Sequence, residues 1–196
     1  NCRMNPLFDE GLITANREKA RTRAEKGSDF LLELAGRELA DRLALVERHF
    51  ERAVELFGAT GVAAKAALAT GKIDSLDRVE TSTVFGDPDQ SLTTAHFESV
   101  PLAAESAPLS LHLTNDTPGM LIQMRRALKP DGLLLAAIPG AGTLAELRDV
   151  LLTAETELYG GASPRVIPFP DIRDVGSLLQ RAGFALPVID EESFTV

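Results

Sequence analysis

A chain of 196 residues with 44% hydrophobic and 25% charged side chains is ordinary for a soluble globular protein and long enough to bury one domain core. Its formal net charge of −9 argues against a nucleic-acid backbone as the main partner, because phosphate binding needs a basic face. The single cysteine, Cys2, excludes an intrachain disulfide and a cysteine-based metal site, and the longest aliphatic run, residues 133–138, is far too short to span a bilayer. No basic-then-apolar signal segment opens the chain, so a cytoplasmic setting is the expectation.

Residues 9–26 read as a polar helix. Within it "REKARTRAEK", residues 17–26, is locally basic: either a solvated helix face with Glu18 and Glu25 interspersed, or a docking surface for an acidic partner or the substrate's carrier. "GSD" breaks this helix, and Ser28 or Asp29 can cap the next, in which Leu31, Leu34, Ala35, Leu39, Leu43 and Val46 form one apolar stripe. "AVELFGATG", residues 53–61, outlines a strand, a small-residue turn and a helix start, with the strand expected over residues 53–57. The small-residue helix over 61–69 suits close packing on a sheet, and Gly71 ends it.

A second strand is expected from Asp77 in "DRVETSTV" and a short third from Leu92, with the turn "GDPDQ" between them. "NDTPGMLIQMRRALKPDG" is a helix capped at Asp116 or Thr117, with Pro118 in its first turn and Met120, Leu121, Met124 and Leu128 as its stripe. "LLLAAI" then predicts a strand apolar on both faces, as in a central, helix-covered position. "TLAEL" predicts a helix with a capping box of Thr143 and Glu146 that runs to Tyr159, and a helix capped at Asp171 and stopped at Gly183 precedes a late strand from Phe184. Strands alternating with helices argue for an open α/β sheet, largely parallel.

The pattern "LSLHLTND", "ALKPDGLLLAAIPGAGTLAELR", "AETELYGGASPRVIPF" and "LLQRAGFALPVID" resembles the class I S-adenosylmethionine-dependent methyltransferase fold. More narrowly, it resembles the bacterial relatives of the mitochondrial complex I assembly factor 5 group, which is itself similar to the malonyl-carrier-protein methyltransferase of biotin synthesis. The strong part of the likeness covers residues 108–196 and a weaker part reaches back to Asn5; "GGASPR" and "LLQRAGF" are its most specific pieces. The resemblance implies an α/β fold, a Rossmann-like methyltransferase sheet with helices on both faces. It implies an N-terminal helical cap over residues 1–50 and the methyltransferase domain over 51–196. It also implies that a hydrophobic fourth strand is missing between Ser106 and Pro108, and that the family continues beyond Val196.

The cofactor implied is S-adenosylmethionine, with S-adenosylhomocysteine as product. Its loop in this fold needs a strand-end acid followed by glycines that let backbone approach ligand. Glu55 matches the acid and Gly61 the last glycine; Phe57 and Ala59 replace the first and middle glycines, and Gly58 is displaced by one position. Glu80, about twenty residues after Gly58, fits the acid that grips the ribose hydroxyls, and His96 falls at the adenine contact. Without the family, Glu55 and Glu80 read first as solvated acids at strand ends.

On the substrate side, His112 is the candidate general base, or else orients its loop, and Asn115 faces the same cleft; a purely structural loop capping the next helix is the alternative. Tyr159 and Arg165 flank "GGASP", where Arg165 can pair with an anionic substrate group or with a surface acid. No metal is implied. Three functions compete: a methyltransferase acting on a small acid, a carrier-bound acyl group or a protein side chain; a protein-modifying or respiratory-complex assembly factor; and a non-catalytic fold member. The sequence leaves the oligomeric state open.

Overall fold

A computed structural model describes residues 6–88, 90–97, 99 and 111–195. They fall into two compact units, one within residues 1–138 and one within 139–196. The expected gap between Ser106 and Pro108 lies outside the described residues.

The first unit begins with α1, Glu10–Arg23. Asp9 caps it by accepting the Leu12 N–H at 2.9 Å, and Glu10 in the first turn with Arg21 and Arg23 in the last suit the helix dipole. The helix ends short of the expected Lys26, and none of its residues is buried. The second helix, α2 (Phe30–Ala44), buries Gly36, Ala40 and Leu43. Then β1 (Phe50–Leu56), α3 (Val62–Ala69) and β2 (Ile73–Glu80) form a strand-helix-strand unit, and β3 is Leu92–Thr94. These strands pair in parallel in the order β1-β2-β3, which corresponds to one half of a doubly wound sheet. Leu43, Phe50, Ala53 and Ile73 form a buried cluster between α2 and the sheet, joined by Ala67 and Leu68 of α3.

Both strand starts differ from expectation. Phe50 is buried and pairs with Ile73, so β1 begins there rather than at Ala53. The start of β2 is hidden in the sequence because its buried first residue, Ile73, is followed by the exposed Asp74 and Ser75 before continuous cover begins at Leu76. The expected tail of that strand, "TSTV", is instead a turn of 3-10 helix over Thr83–Phe85, started by Ser82 Oγ accepting the Val84 N–H.

Helix α4, Thr117–Ala127, has Asp116 at its cap, accepting the Gly119 N–H at 2.8 Å, and buries Met120, Leu121 and Met124. After it, residues 133–138 are not paired as a strand. Leu133 and Leu135 pack their side chains on the Leu43–Phe50–Ala53–Ile73 cluster instead. In the order β1-β2-β3, β1 lies at the edge of the sheet among the described residues, and this run does not extend the sheet from it.

The second unit holds α5 (Ala145–Tyr159) and α6 (Ile172–Arg181). The capping box at Thr143 does not form. Leu144, at φ 54°, occupies the cap position, while the Thr143 N–H is taken by the Gly140 carbonyl in the preceding turn. Asp171 caps α6 by accepting the Arg173 and Asp174 N–H groups, and Gly183, at φ 90°, follows its end. The late strand expected from Phe184 is absent: residues 184–195 pair with no strand.

Candidate functional site

Parallel register places Glu55 of β1 directly beside Arg78 of β2, and Glu80 lies two residues on, on the same face as Arg78. The Arg78 side chain is fully buried, and its fork is spent on the chain itself. Nε donates to Glu55 Oε2 at 2.6 Å, Nη1 to the Phe85 carbonyl at 2.8 Å and Nη2 to the Ala59 carbonyl at 3.3 Å. Nη2 also lies 3.6 Å from Glu80 Oε1. The other Glu55 oxygen accepts the Ala64 N–H at 3.0 Å, in the first turn of α3, where a helix dipole favours an anion.

Glu80, the last residue of β2, has no exposed side-chain surface. Oε1 accepts the Ala59 N–H at 2.5 Å and Oε2 accepts from Arg17 Nη2 at 3.2 Å. Burial raises the Glu80 carboxyl above its ordinary range against the pull of Arg17 and the Ala59 N–H; burial likewise lowers Arg17, which as a guanidinium stays protonated. Arg17 also donates to the Phe57 carbonyl at 2.9 Å, and its guanidinium lies 4.8 Å from the Phe85 ring centre and 5.3 Å from that of Phe97.

The loop after β1 keeps the backbone path of a glycine loop without its glycines. Phe57 (φ 57°), Ala59 (φ 60°) and Gly61 (φ 69°) are all left-handed, at the three positions where the fold expects glycine. Side chains at two of them cost roughly 1–2 kcal/mol each, strain of the kind that clusters at functional sites. The Phe57 ring is buried and stacks on Phe97, centroids 4.8 Å apart and planes 10° from parallel. The room left by the two remaining glycines is filled from within. A Cβ on Gly58 would collide with the Glu55 carboxylate, and one on Gly61 would lie 2.8 Å from both Arg78 Cζ and Gln90 Oε1.

The donor set suits a ribose diol in kind: a buried carboxylate with a loop N–H beside it. In the conformation described, Arg17 holds that carboxylate. Four buried polar atoms nearby in sequence to these elements, Arg17 Nη1, Thr60 Oγ1, Thr81 Oγ1 and Gln90 Oε1, have no hydrogen-bond partner among the described residues.

Glu55, Phe57, Gly58, Gly61 and Glu80 thus converge at the carboxyl ends of β1 and β2. His96 is exposed two residues beyond the end of β3, its carbonyl accepting the Ser99 N–H. His112 sits half-buried in a 3-10 turn over Leu111–Leu113; burial first, then the charge of Arg17, lowers its pKa to about 4, so it is neutral at pH 7. Asn115 makes a long-range strap: Oδ1 accepts the Phe8 N–H at 2.8 Å and Nδ2 donates to the Phe8 carbonyl at 3.1 Å, tying the segment before α1 to the turn before α4. Tyr159 and Arg165 belong to the second unit, Tyr159 exposed and Arg165 paired with Glu155. Glu155 also accepts the Ser163 N–H, and these contacts hold its pKa below the usual carboxylate range.

Sequence reasoning missed Arg17, Arg78 and Phe97. Arg78 carried a signal, a cation two residues before Glu80 in a strand and hence on its face. Arg17 did not: neither a solvated face nor a docking surface describes a guanidinium only 14% exposed and bound to an acid 63 residues away. Among the described residues, no group of His, Cys, Asp and Glu is arranged to hold a metal, and no helix is long and apolar enough to cross a membrane.

No family model matches the chain. It is 34% identical over 203 residues to arginine-hydroxylase NDUFAF5, mitochondrial, of Homo sapiens, covering 97% of this chain and 58% of that protein. It is 34% identical over 118 residues to the malonyl-(acyl-carrier protein) O-methyltransferase of Gallionella capsiferriformans (strain ES-2), covering 58% of this chain and 39% of that protein. The chain therefore spans less than two thirds of either curated relative. In structure it is similar to an S-adenosylmethionine-dependent methyltransferase from Mesorhizobium loti, with TM-score 0.57 and 18% identity over 79% of this chain and 83% of that one. The chain has the class I S-adenosylmethionine-dependent methyltransferase fold and groups by sequence with NDUFAF5 and malonyl-(acyl-carrier protein) O-methyltransferase.

Proposed function

We propose that this protein is an S-adenosylmethionine-dependent methyltransferase whose cofactor lies over the carboxyl ends of β1, β2 and β3, with its ribose at Glu80. The observation that carries this reading is Glu80 itself, a fully buried carboxylate ending β2 beside the Ala59 N–H. Such a carboxylate accepts hydrogen bonds from both hydroxyls of a diol. The alternating left-handed residues of the loop support it, since they keep the backbone path that lets a ligand approach.

Bound there, the cofactor supplies a methyl group to an acceptor nucleophile, leaving S-adenosylhomocysteine and, from a neutral acceptor, a proton. The acceptor class is a small acid, a carrier-bound acyl group or a protein side chain. A carboxylate acceptor needs alignment rather than a base. For a nitrogen or hydroxyl acceptor a base is needed; the imidazole of His112 is neutral and can accept a proton, but with its pKa lowered to about 4 it is a weak base.

A second reading, a protein-modifying factor that does not transfer methyl groups, is favoured by one observation. The likeness to arginine-hydroxylase NDUFAF5 runs over 97% of this chain, against 58% for the O-methyltransferase. Calorimetric titration with S-adenosylmethionine and S-adenosylhomocysteine tests the first reading: saturable binding is expected, weakened strongly in Glu80→Gln. Flat traces from folded protein would remove it, and a modified protein substrate carrying oxygen rather than methyl would favour the second.

A further inference from the structure

We propose that α1 is a latch whose Arg17 occupies the ribose position at Glu80, so that cofactor and latch compete for the same carboxylate. This rests on the reading of Glu80 as the cofactor's acid.

Two bonds fix Arg17 in place, and both lie where the ligand is expected: Nη2 donates to Glu80 Oε2 at 3.2 Å and to the Phe57 carbonyl of the loop at 2.9 Å. The guanidinium also lies over the Phe85 and Phe97 rings, the second of which stacks on Phe57. One side chain thus closes the corner from three sides: the acid of β2, the loop after β1 and the segment after β3.

The rest of α1 is attached in a way that allows release. No residue of the helix is fully buried, and its apolar cover is limited to half-buried side chains such as Ile13 and Ala15. A further side-chain tie is polar and partly exposed, Arg21 Nη2 to Asp87 Oδ1 at 3.4 Å, and the segment before the helix is held through the Asn115–Phe8 pair. The latch is also imperfectly satisfied: Arg17 Nη1 is buried with no hydrogen-bond partner among the described residues, a loss that opening relieves. Glu80 keeps the Ala59 N–H and the nearby Arg78 when Arg17 leaves, so the carboxylate is not stranded in the open form.

A site available only in the open form binds with its affinity reduced by the open fraction. Removing the latch raises that fraction. The test titrates S-adenosylhomocysteine into wild type, Arg17→Met and Arg21→Ala, all in the full chain and all checked for a cooperative melt. Arg21→Ala weakens the latch outside the buried network and remains informative if Arg17→Met folds poorly. Expected are about tenfold tighter binding for Arg17→Met, a smaller gain for Arg21→Ala, and faster amide hydrogen exchange across residues 10–23 of wild type on saturation. Equal affinity in wild type and both variants, with unchanged exchange, would overturn the latch while leaving the cofactor reading intact. No binding by any of the three folded proteins would overturn the cofactor reading, and the latch with it.

Discussion

Replacing Arg78 by Met should be among the most damaging single changes in the first unit. Arg78 and Glu55 are both buried, 0% and 6% exposed at the side chain, and meet at 2.6 Å. Methionine fills much of the volume but leaves the Glu55 carboxylate with only the Ala64 N–H, and Glu80 with one cation fewer. Breaking a buried pair from one side costs about 3–5 kcal/mol, because the remaining charge is uncompensated. The Phe85 and Ala59 carbonyls lose a donor as well, at about 1 kcal/mol each. Against a typical domain stability of about 5–15 kcal/mol, the midpoint of urea unfolding should fall by a third or more at unchanged slope. Arg78→Met with Glu55→Gln should recover part of the loss, since the double variant no longer buries an unpaired acid. A single-variant cost below about 1 kcal/mol, or strictly additive losses in the pair, would refute the view that Arg78 holds the corner together.

The pH dependence follows from His112, whose pKa is lowered from 6.5 to about 4 in the folded state. The unfolded chain binds the proton first as pH falls, so stability is lost between about pH 6.5 and 4, by at most about 3 kcal/mol. His112→Gln should flatten that limb, measured as wild type minus variant so that the opposite slope from the raised Glu80 cancels. Gly61→Ala, meeting Arg78 and Gln90 at 2.8 Å, should cost more than about 2 kcal/mol. Gly71→Ala, with a similar φ of 68° but open space around it, should cost only about 1 kcal/mol by thermal melting. Phe57→Gly relieves a left-handed phenylalanine but removes a buried, stacked ring, so a net loss of about 3 kcal/mol is expected, together with tighter S-adenosylhomocysteine binding by calorimetry.

What was legible in the sequence was what is decided locally. Asp116 and Asp171 announced their helices because a cap bonds to residues two or three places on. Glu55 and Glu80 were legible as strand-end acids, and the downstream motifs carried the fold. Decisions that depend on distant neighbours were not legible. The 133–138 run has the composition of a central strand but packs on the core without pairing, since apolar composition records burial and not which edge the backbone meets. Thr143 and Glu146 have the spacing of a capping box, yet Thr143 lies in a turn closed by Gly140. The latch joins Arg17 to an acid 63 residues away, a contact that the charge pattern of a basic helix does not encode. Nor does the loop's sequence show that Phe57 and Ala59 adopt the backbone that glycines normally supply.

The most direct measurement is calorimetric titration of S-adenosylhomocysteine into the wild-type protein, Glu80→Gln and Arg17→Met. Cofactor binding at Glu80 predicts one saturable site in wild type, strongly weakened by loss of the Glu80 charge and tightened by loss of the Arg17 charge. Flat traces from all three folded proteins, or binding that Glu80→Gln leaves undiminished, would contradict it.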